Sequence, residues 1–371
     1  MQTIGAAATP NRETPAILNG KDDQNRPIFA VLAKRTYDLR PGQKCVRSER
    51  QNPLINVDEY YDDGDPEWAT VKYESDFAPF KLATDVVVIG KAFAPGGKAV
   101  PQLNVSVEVA SQRKTLRVSG DRWCLYRANA APVFSEPIPF TEMPIQYERA
   151  YGGKDVKSNP QEPFYYPRNY LGVGIVMKNL EEAIGGLPLP NIEDPADLLS
   201  PERVVLGEPE RWPAQPLPDG LGWFQRGWYP RCSFVCAMPS YLGVDTVLRE
   251  EKLGLVPKGQ LALSWQFKLP SFDVHFNNGA SRGLVFPYLA SDEQFKLTNL
   301  TPDSLLAFQL PGEAPQMMLD IGLGENELKP VLHTVCVRLD AMQVDLVWRG
   351  AHEYPGLDWL PEMKKLNAQI F

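Results

Sequence analysis

The chain has 371 residues, 43% of them hydrophobic, a formal net charge of −8 and five scattered cysteines. That length and apolar share fit a folded protein with one large core or two smaller ones. The acidic balance, with no basic cluster, argues against nucleic acid or an anionic membrane as partner, and the odd cysteine count argues against a disulfide framework.

Residues 1–25 are polar and irregular and read as a flexible N-terminal arm, without the charged and apolar regions of a secretory signal. No apolar run approaches the ~20 residues needed to span a bilayer, so the expected location is cytoplasmic. Ile28–Leu39 reads as a first strand, ended by Pro41-Gly42. The Asp76–Pro95 stretch carries the apolar β-branched run Val86-Val87-Val88-Ile89, the pattern of a strand buried on both faces. Val105, Val107 and Val109 alternate, as do Leu116 and Val118 beyond the polar turn Ser111–Lys114, which predicts a half-buried hairpin. Pro139–Gly153 is an aromatic loop closed by a glycine pair. Residues 159–218, dense in Pro, Gly and Asn, are expected to run over the surface as a proline-stiffened connection. Short strands are expected near Leu261–Phe267 and Phe295–Leu300. A second hairpin is expected where Val331, His333, Val335, Val337 and Leu339 alternate and Val344, Leu346 and Trp348 alternate back.

The 35 prolines, about double the usual share, each remove a backbone donor and fix φ. The expected fold is therefore mainly β, with antiparallel strands in sandwich- or barrel-like sheets, long Pro/Gly-rich loops and few short helices. After the arm, residues 26–153 form a β-rich N-terminal part, and 154–371 a loop-rich β part packed against it.

No catalytic constellation stands out. Asp58, Asp62, Asp63, Asp65 and Glu67 crowd one loop, but their spacing does not match a calcium-binding loop. Cys232 and Cys236 lack the further ligands of a structural zinc site. His333 shares a face with valines and reads as a core histidine held by one hydrogen bond. His275 lies two residues after Asp273, near Ser271 and Ser281, without the strand–turn–helix elbow of a nucleophile. Asp76, Asp85, Glu142 and Glu148 are the acids a glycan or peptidoglycan hydrolase would draw on. The glycine pairs lack the Lys and Ser/Thr of a phosphate loop, so no cofactor and no metal is expected. Residues 210–230 are richer in signal. Trp212, Trp223, Phe224, Arg226, Trp228 and Tyr229, with Arg231 beside them, stand among prolines; they read equally as the rigid aromatic and arginine anchors that protein interfaces use and as rings filling a core short of aliphatics.

Taken in order, Lys34-Arg35-Thr36-Tyr37, Asp76–Lys81 with Thr84–Gly90, Val118–Trp123, Pro139-Phe140 with Met143–Gly153, Asn159-Pro160, Leu187–Glu193, Leu269–Asp273 with Phe276-Asn277, and Leu346–Arg349 span most of the chain. This ordered set resembles a bacterial uncharacterised-domain family encoded beside type VI secretion spike proteins. The resemblance implies a non-enzymatic adaptor or chaperone that binds an effector toxin, helps load it onto a VgrG-type spike protein and remains in the producing cell. The chain departs from that family's pattern at Gly227–Cys232, where a Thr-Tyr-Asp stretch is expected, and at Asn278–Ser281, where an Ala-Pro pair is usual. A structural component of the spike is a further reading, and the six aromatic-loop residues are the expected partner contacts. The acidic charge would suit a basic client by raising its encounter rate.

Overall fold

A computed structural model describes residues 15–61, 68–126, 131–156, 160–161, 163–175, 186–205, 209–235, 277–322, 324–354 and 366–371. Nine strands of five residues or more carry the fold among them: β1 (Ala16–Lys21), β2 (Pro27–Asp38), β3 (Thr84–Ile89), β4 (Gln102–Val109), β5 (Gln112–Ser119), β6 (Gln294–Thr298), β7 (Leu305–Gln309), β8 (Val331–Arg338) and β9 (Gln343–Glu353). A seven-stranded sheet has the order β1-β2-β9-β8-β3 followed by Val285–Phe286, with Val46–Arg47 paired to the end of β2. A five-stranded sheet runs from Ile192–Glu193 through β5, β4 and β6 to β7. All pairings in both are antiparallel except β8 with β3. Neither sheet closes into a barrel, and no described helix reaches seven residues.

The apolar run of β3 is buried along its whole length, as a strand covered on both faces must be. The β4–β5 hairpin forms as expected, but Val109 pairs with Gln112, so the turn is Ala110-Ser111. Both residues have positive φ, +47° and +63°, the twist that a two-residue hairpin turn requires. This register carries Lys114 into the strand, in phase with Leu116 and Val118, and buries it. The β8–β9 hairpin is also as expected, and β9 continues to Glu353 because β2 pairs with it over eleven residues. Inward residues of both sheets, among them Val31, Val86, Val105, Leu116, Phe295, Leu306 and Trp348, meet in one hydrophobic core.

Two expectations change. Residues 16–21 are not part of a loose arm: they are edge strand β1, paired to β2 from Ala16↔Leu32 to Lys21↔Pro27. The 159–218 region is not a mere surface connection, since Phe164, Tyr166, Leu187, Leu189, Leu199 and Val204 pack with Cys124 and Tyr151 into a second small core. Each large sheet takes strands from both sides of the Gly152-Gly153 turn, near which the two expected parts meet. The strand expected at 261–267 lies outside the described residues. No described helix is long and apolar enough to cross a membrane.

Candidate partner-binding pocket

The residues that carry the family resemblance tie strands together from within. Lys34 on β2 reaches Asp76 at 3.0 Å and Asp345 on β9 at 4.0 Å. Asp345 also accepts from Thr36 at 2.7 Å and Asn52 at 2.9 Å. Lys81 bonds Asp85 at 2.8 Å and Thr334 at 3.0 Å, and lies over the Trp223 ring. The other oxygen of Asp85 accepts the backbone N–H groups of Gly279 and Ala280, at 3.0 and 2.9 Å. A carboxylate on a buried strand thus fixes the 278–281 turn. Such buried pairs are strongly destabilising to break singly, because the remaining charge is left without compensation.

The loop from Leu217 to Arg231 is fastened to the same framework. Leu221 accepts from the backbone of Val88, Phe224 donates to Gly279, and Tyr229 donates to Pro167. Gln225 reaches Ala69 at 2.6 Å. Arg231, buried, clasps both oxygens of Glu74 at 2.6 and 2.8 Å, and Arg226 joins Glu74 at 3.0 Å. Burial of Glu74 favours its neutral form, but Arg231 and Arg226 outweigh that and hold the carboxyl well below the usual range. Asp58 lies against the same cluster, 3.7 Å from Arg226, and burial followed by repulsion from Glu74 raises its pKa.

Between this loop, the 278–285 turn and Arg168 opens a pocket of about 420 Å³, within the size range of small-ligand sites. Its walls are Tyr147, Leu217, Pro218, Phe224, Tyr229, Pro230, Ala280 and Val285, with Arg168, Arg231, Asn278 and Arg282 among them. Behind it, the rings of Tyr147, Phe224 and Trp228 meet edge to face at 4.9–6.0 Å, an arrangement that stiffens the wall. A larger depression of about 890 Å³ lies at the turn end of the β4–β5 hairpin. Two of its cations, Arg113 and Lys296, already face Glu108 at 3.7 and 3.5 Å, which makes it the weaker candidate.

The six expected contact residues separate here. Phe224 and Tyr229 line the pocket. Trp228 is 0% exposed and Trp223 3%, so neither is presented to a partner; both are core residues. Arg226 is committed to Glu74 and Asp58. The side chain of Trp212 lies outside the described residues. Missed from sequence were Arg168, Leu217, Pro218, Asn278 and Arg282, whereas Arg231 stood beside Arg226 among the expected arginine anchors. Of the lining residues, Tyr229, Pro230, Arg231, Asn278 and Ala280 come from the stretches 227–232 and 278–281 that were set apart from the expected pattern of the resembled family; the others carried no such signal.

The other constellations resolve as structure. Asp76 accepts from Lys34 and the Ile55 N–H. Glu148 accepts from the Thr70 hydroxyl and, at 2.7 Å, from its N–H, and Glu142 pairs with Lys91 at the surface. Ser281 is fully buried, bonded to Tyr147 at 2.8 Å and to the Gly222 carbonyl. Cys45, Cys124, Cys232 and Cys336 are buried and form no disulfide among the described residues. No cluster that could hold a metal ion occurs among the described residues. Asp62, Asp63, Asp65, Glu67, Cys236, Ser271, Asp273 and His275 lie outside them.

Residues 24–349 match a family described as uncharacterized protein conserved in bacteria, DUF2169. No curated protein and no solved structure matches the chain.

Proposed function

This chain belongs to the DUF2169 family of bacterial proteins, and we propose that it acts there as a non-enzymatic adaptor that binds a type VI secretion effector and helps load it onto the VgrG spike. The observation that carries this reading is the preformed pocket beneath the 217–231 loop, walled mostly by aromatic, proline and aliphatic residues with three arginines among them. A concave, largely apolar pocket with a few polar groups is the kind of surface that can hold a partner's side chain. Its backbone is pinned by Glu74, Asp85 and Gln225, so little ordering entropy is lost on binding. The four acids that a hydrolase would use are instead engaged with lysines, a threonine and backbone N–H groups.

The test is a secretion assay in the host. A strain whose only copy carries Leu217→Trp, which plugs the pocket from a side chain 38% exposed, is expected to lose export of the effector while the spike protein is still released. The adaptor should stay in the cells. Normal effector export from that strain overturns the reading, and recovery of this chain in the released particle makes it a spike component.

A further inference from the structure

The pocket's chemistry narrows what it can hold, and an occupant inferred from that chemistry rests on the adaptor reading. Arg168 stands in a wall that is otherwise mostly aromatic, proline and aliphatic. Its guanidinium meets only the Tyr166 hydroxyl and the Pro213 carbonyl, both at 3.4 Å, and no carboxylate pairs with it among the described residues. The other two arginines differ: Arg231 is held by Glu74, and Arg282 reaches Asp194 at 2.8 Å. A half-buried cation without a counter-charge among the described residues, beside an apolar hollow, is complementary to an anion attached to an apolar group.

Arg168 is also held in place. Its neighbour Pro167 accepts from Tyr229, and its other neighbour, Asn169, donates to the Tyr147 and Tyr151 carbonyls at 2.8 and 3.2 Å. The backbone that carries Arg168 therefore keeps a set position relative to the Tyr147, Phe224 and Tyr229 rings. Two further polar atoms in the same wall, Arg231 Nε and Asn278 Oδ1, have no hydrogen-bond partner among the described residues. The Asn278 amide is oriented by its Nδ2, which donates to Ala83 at 2.7 Å. A donor and an acceptor both lacking partners match the carbonyl and N–H of a peptide unit. Both are covered in the free protein, so a ligand would reach them only after a side chain of the wall turns aside.

We propose that the pocket takes an extended segment of the partner protein, a large apolar side chain entering the hollow and an adjacent acidic residue pairing with Arg168. The site therefore selects an acidic neighbour even if the client as a whole is basic. Net charge governs encounter, whereas the local pair governs register.

The probe is the tetrapeptide acetyl-Gly-Trp-Asp-Gly-amide, observed by saturation-transfer NMR with the purified full-length chain. Comparison ligands are the peptide with Lys in place of Asp, and indole-3-propionate. We expect transfer to the Asp peptide, at least fivefold weaker transfer to the Lys peptide, and loss of both in Leu217→Trp. In Arg168→Glu the preference should invert in favour of Lys. Arg168 makes no ion pair with a described residue, so that variant should melt like the parent. No transfer to the Asp peptide at millimolar concentration overturns the proposal, as does transfer unaffected by Leu217→Trp or by the charge swap. Equal or stronger transfer to indole-3-propionate makes the pocket a small-molecule site and overturns peptide recognition. The two readings fail separately. Peptide binding with normal export from the Leu217→Trp strain removes the adaptor role alone. Lost export without peptide binding removes this occupant alone.

Discussion

His333 illustrates how much a single buried side chain can be asked to do. It is fully buried, sits at the point where the β8–β9 register shifts, and neither ring nitrogen has a hydrogen-bond partner. The expectation of a core histidine is met, but the single hydrogen bond expected for it is absent. Burial, with Lys81 and Arg349 adding to it, pushes its pKa well below the ordinary value, so the ring is neutral in the folded chain. A depressed folded pKa means the unfolded chain binds a proton that the folded chain refuses. Stability is therefore present above the ordinary histidine pKa near 6.5 and falls as pH drops below it, by up to about 1.4 kcal/mol per pH unit. Urea unfolding at pH 7.5, 6.5 and 5.5 should show the parent losing about 1 kcal/mol more than His333→Phe between the last two points. Parallel pH profiles would show that the ring takes up a proton in the fold. The same residue-scale logic explains Trp223 and Trp228: replacing them would disturb packing, so they are poor probes of binding.

Among the elements, the Tyr147–Gly153 segment connects framework to pocket. Tyr147 lines the pocket, Glu148 fastens the segment to Thr70, and Tyr151-Gly152 pairs in parallel with Val173-Gly174. Gly152 has φ +151°, and a Cβ there would stand 2.0 Å from the Asn169 carbonyl oxygen. Only glycine permits that approach, which in turn sets Asn169 and its neighbour Arg168. Gly152→Ala should cost about 3 kcal/mol, from strained φ and displaced backbone together, read as a lowered midpoint in urea with unchanged slope. A variant as stable as the parent would mean that the 166–170 loop can move aside, and that Arg168 is not held as described. The glycine pair was visible in the sequence as a loop closure; the contact that demands it was not, because Asn169 is seventeen residues away.

At the scale of the whole molecule, the two large sheets interleave the chain's halves. β2 lies between β1 and β9, β3 beside β8, and β4 beside β6. A fragment of residues 1–153 would leave β2, β3 and β4 without β9, β8 and β6 and expose their apolar faces, a state prone to edge pairing and aggregation. Expressed alone, it should be insoluble or melt without a cooperative transition. A soluble fragment with a sharp calorimetric transition would restore the two-part division expected from sequence. The pocket shares this dependence: its walls come from 147, 168, 217–231 and 278–285, so it exists only once the late β strands have closed the seven-stranded sheet.

The strand-rich class, the buried strand at Val86–Ile89 and both long hairpins were already written in local sequence. Those features rest on periodicity and on proline's effect on its own backbone. Composition also marked residues 210–230, which include most of the pocket loop, as unusual. Which of that loop's aromatics face a ligand depends instead on how distant segments pack. Phe224 and Trp228 have similar apolar chemistry, yet one lines the pocket and the other fills the core behind it. The same holds for charge. Arg168, Arg226 and Arg231 look alike in the sequence, yet Glu74, contributed from over 150 residues away, neutralises the last two, while Arg168 pairs with no carboxylate among the described residues. Periodicity is a property of neighbours along the chain, whereas a pocket is a property of segments that meet only after folding.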